Sequence, residues 1–248
     1  ASADSSFISK KASLMKNYRI EAAIVAAGLF VLGLFLYLGF GTFAQRDRFV
    51  SVRGLAEREV KADHVIWPIT YKITGNDLQQ LYDNINADNA KIVSFLTANG
   101  IDKSEISVAA PQLVDLKAER YGDQQRLVDR YNVTSVITVS TGKVDAARAL
   151  MSRMGELLKQ GVAIAASDYG NTVSYEFNGL NKIKPDMIQE ATRNAREAAL
   201  KFAQDSESEL GKIKNATQGL FSIDDRDQYT PYVKNVRVVT SVDYYLES

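Results

Sequence analysis

His64 is the only histidine in the chain and cysteine is absent, so a single imidazole and no thiol are available for catalysis or metal binding. A Ser-His-Asp triad would have to use His64 as its base. The G-x-S-x-G elbow that would present a serine to it is missing. A transition-metal site would have to be almost wholly carboxylate. Asp224, Asp225 and Asp227 flank Arg226 and could gather oxygens for calcium, yet the central glycine and distant glutamate of an EF-hand loop are not there. A solvated loop is the simpler reading. Glu207 and Glu209 likewise read as a solvated face, because a glycosidase pair is defined by separation in space. Neither the phosphate-cradling G-x-x-x-x-G-K-[ST] loop nor a G-x-G-x-x-G turn between strand and helix occurs. No catalytic, cofactor-binding or metal-ligating residue is therefore assigned, and the chain reads as non-enzymatic. Tyr229, Tyr232, Tyr244 and Tyr245 near the C-terminus could line a sugar or peptide surface. Packing in the core or along a seam between subunits is the plainer use of them.

The elements that must position these residues follow an apolar stretch, Ala22 to Phe43, of about 22 uncharged residues, close to the roughly 20 that span a bilayer. It is apolar around its whole circumference, which sets it apart from the striped helix of a soluble core. Its anchoring residues are Ala22, Ile24, Val25, Leu29, Phe30, Leu32, Leu34, Phe35, Leu36, Leu38, Phe40 and Phe43. Lys10, Lys11, Lys16 and Arg19 before the stretch outnumber Arg46 and Arg48 after it, which predicts a cytoplasmic N-terminus. A cleaved signal peptide is the competing reading, with Thr42-Phe43-Ala44 as its site, but its apolar region would be shorter. The expected organisation is a cytoplasmic leader over residues 1–19, a transmembrane helix over 20–44 and an extracytoplasmic domain over 45–248. Within the leader, Met15-Lys16-Asn17 reads like a natural start.

Thirty Lys and Arg balance thirty Asp and Glu, so no basic field points to nucleic acid. Beyond the charged collar Ala44 to Arg48, Val50 and Val52 open a strand, with Gly54 marking a bulge or a close backbone approach. A second strand alternates Val65, Trp67, Ile69, Tyr71 and Ile73, and Pro68 within it predicts an edge or a bulge. Gly75-Asn76-Asp77 ends that strand and caps a helix with Leu78, Leu81, Ile85, Ile92 and Leu96 on one face, closing at Asn99-Gly100. Ile106 to Leu116 and Val133 to Ser140 read as two strands of a long hairpin. A second helix carries Val144, Ala147, Leu150, Met151, Met154 and Leu158, with Gly161 beyond its end. After a strand with Val173, Tyr175 and Phe177, Pro185 fits the first turn of a third helix to about Leu210. Its inward face is Ile188, Ala191, Ala195, Ala199 and Phe202. Strand character returns over Ile213 to Ile223 and in a final strand with Val236, Val238, Val242 and Tyr244. Helices and strands interleave without one-to-one alternation, so the fold class is α+β, with helices packed on antiparallel or mixed sheets.

Four blocks in this order resemble one family: VSVRGLAEREVKAD (Val50 to Asp63), NAKIVSFLTANGIDKSEI (Asn89 to Ile106), the helix from Ile188 to Gly219, and VRVVTSVDYYL (Val236 to Leu246). They are similar to the SIMPL-domain proteins of the bacterial envelope, among them the periplasmic immunogenic and oxidative stress defence proteins. The resemblance covers nearly all of Phe49 to Leu246. It departs where the family commonly has a GEGE run, for which this chain has Gly54-Leu55-Ala56-Glu57. The resemblance implies an α+β domain in the cell envelope that assembles into large ring-like or channel-like homo-oligomers, and it brings no catalytic residues with it. The resulting expectation is a single-pass bacterial inner-membrane protein with a periplasmic C-terminal domain, acting as a scaffold or enclosure connected with stress. Its partners are further copies of itself and the lipid bilayer, with no cofactor and no nucleic acid. The final strand, through Val236, Val238, Val242, Tyr244 and Tyr245, is the expected subunit contact. The alternative is a tethered ligand-binding or enzymatic domain acting on an envelope or oxidised small molecule, with His64 in a cleft.

Overall fold

The computed structural model describes residues 21–37, 48–118, 128–165 and 172–247. The element order is α1 (residues 21–37), β1 (Phe49–Lys61), β2 (His64–Gly75), α2 (Leu78–Ala98), β3 (Ile106–Val108), β4 (Gln112–Asp115), β5 (Tyr131–Thr141), α3 (Val144–Ser152), α4 (Gly155–Lys159), β6 (Ser174–Glu176), α5 (Leu180–Asp205), β7 (Glu209–Gln218), β8 (Ser222–Asp225) and β9 (Val233–Glu247). The chain is α+β with antiparallel pairing in every register recorded. It divides into two compact units, and the division runs through β1, α5 and β9.

The smaller unit takes Thr192–Gln218 and Thr240–Ser248 together with the chain up to Gly54. In it, β9 pairs with β7, from Glu209 opposite Glu247 to Gln218 opposite Thr240, and the register shifts on either side of Ile213. Val52 of β1, Ala195 and Ala199 of α5, and Val242 and Tyr244 of β9 form its core. The alanines let the helix lie close on the strands. α5 ends with Ser208 N–H donating to the Ala203 carbonyl at 2.9 Å across Glu207, whose φ of 51° is left-handed. This is a Schellman-type stop, usually made with glycine. It explains why the helix ends before the expected Leu210. Phe202, expected inward, is exposed because the buried row runs at strict four-residue spacing through Ala195, Ala199 and Ala203.

The larger unit holds Leu55–Ala191 and Gly219–Val239. Its five-stranded sheet has the order β3-β5-β2-β6, with β4 also on β5. One face of β2 and β5, Val65, Trp67, Ile69, Tyr71, Ile137 and Val139, packs on Ile92, Phe95 and Leu96 of α2 and on Ala147, Leu150 and Leu157 of the shorter helices. α2 begins as expected: the Asp77 carboxylate accepts from Gln79 N–H at 2.8 Å and from Gln80 N–H at 3.2 Å. Gly100, at φ 92°, follows its end. A second core joins Ala56, Met187, Ala191, Val236 and Val238.

Several expectations shift. The hairpin partner of β5 is two short strands: Ile106 lies opposite Val139, but Leu113 lies opposite Val133, with Pro111 in the break. The second helix is also two pieces, and the break at Arg153 changes its phase, so Leu157 is buried while Leu158 is exposed. α5 starts at Leu180, ahead of Pro185, because the Asn178-Gly179 turn already begins it and Leu180 and Ile183 pack beneath it. Pro68 lies in an inner strand. The Thr70 carbonyl accepts Ala165 N–H at 2.9 Å, so the even residues of β2 face away from β5, and β6 ends its pairing at Ile66. A missing N–H at Pro68 therefore interrupts no ladder.

Among the described residues no helix is long and apolar enough to cross a membrane. α1 covers residues 21–37, and the rest of the apolar stretch lies outside the described residues.

Candidate functional site

The residues first singled out for chemistry are tied into the fold by local bonds. His64 Nε2 lies 2.8 Å from Ser140 Oγ, because β2 and β5 pair with Ile66 opposite Ser140. Both side chains are on the face of the sheet away from α2. Among the described residues no carboxylate is hydrogen-bonded to the other ring nitrogen, the contact that orients the base of a triad.

In the acidic loop after β8, Asp225 and Asp227 are held by protein donors. Asp225 receives the Lys234 ammonium. Asp227 Oδ1 accepts Tyr229 N–H and Thr230 N–H, each at 2.8 Å, and Oδ2 accepts Arg226 Nε–H at 3.1 Å together with the Thr230 hydroxyl. The Thr230 hydroxyl, then Arg226, hold the Asp227 carboxyl down at about 2. Both oxygens of Asp227 are engaged by the loop's own donors, so this carboxylate works as the anchor of a turn. Among the described residues no group of three or more His, Cys, Asp or Glu side chains is placed to hold a metal.

Of the tyrosines, Tyr229 is exposed, and Tyr232 lies under the Arg148 guanidinium at 3.4 Å from its ring centre and edge-on to Tyr175. Val236, Val238, Val242 and Tyr244 are buried in the chain's own core and Tyr245 is half-buried. β9 is an inner strand, between β1 and β7. The expected subunit contact on β9 is corrected accordingly: its alternation reflects packing on α5 rather than a free edge. Of the anchoring residues, Ala22, Ile24, Val25, Leu29, Phe30, Leu32, Leu34, Phe35 and Leu36 are all exposed on α1. Leu38, Phe40 and Phe43 lie outside the described residues.

The long edges belong to β1 and β7. In the five-stranded sheet the outer strands β3, β4 and β6 have three or four residues each, too short to template another chain. β7 has ten residues but is bulged on either side of Ile213 and carries Lys212 and Lys214, devices that blunt an edge. β1 has thirteen residues and no proline. The Arg48 carbonyl accepts Leu246 N–H at 3.0 Å in the smaller unit, and Ala62 N–H donates to the Tyr232 carbonyl at 2.9 Å in the larger. Both are even-numbered, so strand alternation turns the even residues toward β9 and directs the main-chain groups of Ser51, Arg53, Glu57 and Glu59 to the outer side. Those four side chains are exposed. No sequence motif marks this edge. The alternation of Val50, Val52 and Ala56 locates its buried face, but only the pairing with β9 shows which main-chain groups face away from it.

A second feature is an apolar groove of about 230 Å³ lined by Leu78, Tyr82, Ile85, Pro111, Leu113 and Val133, between the start of α2 and β4.

The family model described as SIMPL, a protein of unknown function (DUF541), matches residues 50–241. No curated protein matches the chain.

Proposed function

We propose that this chain, which belongs to the SIMPL family, is a membrane-anchored structural protein of the cell envelope that assembles with copies of itself and carries out no chemical conversion. The observation that carries the reading is the exposed row of Ser51, Arg53, Glu57 and Glu59 along β1, a strand of thirteen residues without proline. Support for the anchor comes from α1, whose large apolar side chains, including Phe30 at 74% and Phe35 at 70% exposure, need a cover other than water. The whole apolar stretch Ala22 to Phe43 supplies the length, and the cations before it set the N-terminus in the cytoplasm and the SIMPL domain in the periplasm. Assembly then gathers many anchors on one side of a particle, which suits a scaffold or enclosure at the membrane.

The chain has no native cysteine, so substituted-cysteine labelling tests the topology directly. Asp145, exposed on α3, is expected to react as Asp145→Cys with a membrane-impermeant maleimide in intact spheroplasts, while the chain resists carbonate extraction. Release by carbonate, or labelling only after lysis, would contradict the anchor or its orientation.

The groove between α2 and β4 favours a second reading, a tethered domain that binds a small apolar ligand. Retention of an apolar fluorophore by the wild-type chain and its loss in Leu113→Glu would support that reading.

A further inference from the structure

We propose that Asn178-Gly179, the turn that leads into α5, is a site of spontaneous covalent modification, where the main chain itself converts asparagine to aspartate and isoaspartate. The step needs no reagent beyond water. The Gly179 nitrogen gives up its proton and attacks the side-chain amide carbon of Asn178. The new C–N bond closes a five-membered succinimide, and the Nδ2 group takes a proton and leaves as ammonia. Water then adds to one of the two imide carbonyls and breaks its bond to the Gly179 nitrogen. Opening at the side-chain carbonyl gives aspartate. Opening at the main-chain carbonyl gives isoaspartate, in which the main chain runs through the former side chain and is one methylene longer. Glycine favours the attack because it has no Cβ to shield its nitrogen.

The sequence holds two Asn-Gly pairs, and the structure sets them apart. Asn99 is half-buried at the end of α2, where its Nδ2 donates to the Phe95 carbonyl at 2.7 Å and its Oδ1 accepts Arg153 Nη1–H at 2.7 Å. Gly100 N–H is given to the Thr97 carbonyl at 3.2 Å. The amide is thus turned back along the helix, and the nitrogen that would attack it is committed. Asn178 is exposed, and among the described residues its side chain makes no hydrogen bond. Among those residues Gly179 N–H has no acceptor either, as expected where a helix begins and the first N–H groups lack intrahelical partners. Packing demands glycine at this position: a Cβ would stand 2.9 Å from the Phe177 ring and 3.2 Å from Asp63 Oδ2. The residue that fits the turn is therefore also the one that opens Asn178 to attack. Asp63 Oδ1 accepts Asn178 N–H at 2.8 Å, and this bond is the contact that an added carboxylate and a lengthened main chain between β6 and α5 disturb.

The test is incubation of the folded full chain in detergent at mildly alkaline pH, continued until a synthetic peptide of residues 174–182 beside it has converted, and then peptide mapping by mass spectrometry. Aspartyl and isoaspartyl products are told apart by their fragment ions. The Asn178 peptide is expected to convert on the order of tenfold or more faster than the Asn99 peptide, which reacts only after its bond to the Arg153 guanidinium opens. Asn178→Gln would have to close a slower six-membered ring, and it is expected to abolish the conversion at residue 178 with the circular dichroism spectrum unchanged. An intact Asn178 in the folded chain, after the free peptide has converted, would overturn the proposal by showing that the turn keeps the amide away from the Gly179 nitrogen. Equal rates at Asn178 and Asn99 would overturn it as well, because the hydrogen bonds would then not be what selects the site.

Discussion

The main-chain carbonyl of Arg48 accepts the Leu246 N–H at 3.0 Å, and this bond decides which side of β1 is committed to β9. Even-numbered residues give their backbone groups to the chain's own sheet, and odd-numbered ones turn theirs outward. A proline distinguishes the two sets because it removes one N–H. Arg53→Pro is expected to leave the fold intact, because the N–H it removes points away from β9. Val52→Pro, at an inward and buried position, removes a ladder N–H and leaves its acceptor on β9 unpaired, which is expected to cost about 1–3 kcal/mol of stability. Urea unfolding followed by circular dichroism separates the two variants, and an equal loss in both would contradict the pairing of β1 with β9 described above.

Tyr71 is buried in the larger unit and donates to Asn89 Oδ1 at 2.8 Å, where Ser135 Oγ also donates at 3.1 Å. Burial raises the Tyr71 phenol above its ordinary value, with Asp88 adding to the rise and Ser135 opposing it. Tyr71→Phe leaves Asn89 with the serine donor, so the expected loss is about 1–2 kcal/mol in urea unfolding. The Tyr71 hydroxyl also reaches the Ile85 carbonyl at 3.0 Å, so Asn89→Leu strands the buried Ser135 hydroxyl alone, and it is expected to cost more than Tyr71→Phe, which strands none. An equal or smaller cost would show that the network is not closed in this way.

Much of this architecture is legible in the sequence, and the misses share a cause. The alternation Val65, Trp67, Ile69, Tyr71 and the cap at Asp77 correspond directly to β2 and α2, because period and capping chemistry are local. Phe202 and Leu158 were expected inward and are exposed, since each stands one position from a buried row whose phase is set by what lies beneath it. β9 reads as strongly as any strand, yet alternation cannot tell an inner strand from an edge. The outer side of β1 is likewise invisible until the pairing of Arg48 with Leu246 is known. The SIMPL family was legible from the order of four blocks along the chain.

Glu207 holds the left-handed position that ends α5, at φ 51°. Glycine adopts that conformation without steric cost, whereas other residues carry roughly 1–2 kcal/mol there. Glu207→Gly is therefore expected to raise the stability of the smaller unit by about 1 kcal/mol. Glu207→Val is expected to lower it. A destabilised glycine variant would mean that the Glu207 side chain contributes more than its backbone strain removes.

Asp227 gives the loop after β8 a defined pH dependence. Its carboxyl is lowered from 3.8 to about 2, first by the Thr230 hydroxyl and then by Arg226, so the charged form is the one the folded loop favours. The contribution is complete above the unfolded value and is lost as pH falls through about 2. Carbon-detected NMR titration is expected to place the Asp227 midpoint near 2, and Asp227→Asn is expected to speed exchange of the Tyr229 and Thr230 amides at neutral pH. A midpoint at the ordinary aspartate value would contradict the turn described for this loop.

Ala195 is fully buried beneath α5, against the strands of the smaller unit. A longer side chain there must push the helix off the sheet. Ala195→Leu is expected to cost about 1–3 kcal/mol. Arg196→Leu, one position away and exposed, is expected to be close to neutral in the same urea experiment.

The central claim is self-assembly through the SIMPL domain of a membrane-anchored chain, and the most direct test is the mass of the detergent-solubilised protein by light scattering, measured beside a chain that begins at Phe49. The account predicts a particle several times the 27.4 kDa of one chain, still present when the apolar stretch is removed. A monomer in both preparations would contradict it and turn attention to the groove between α2 and β4.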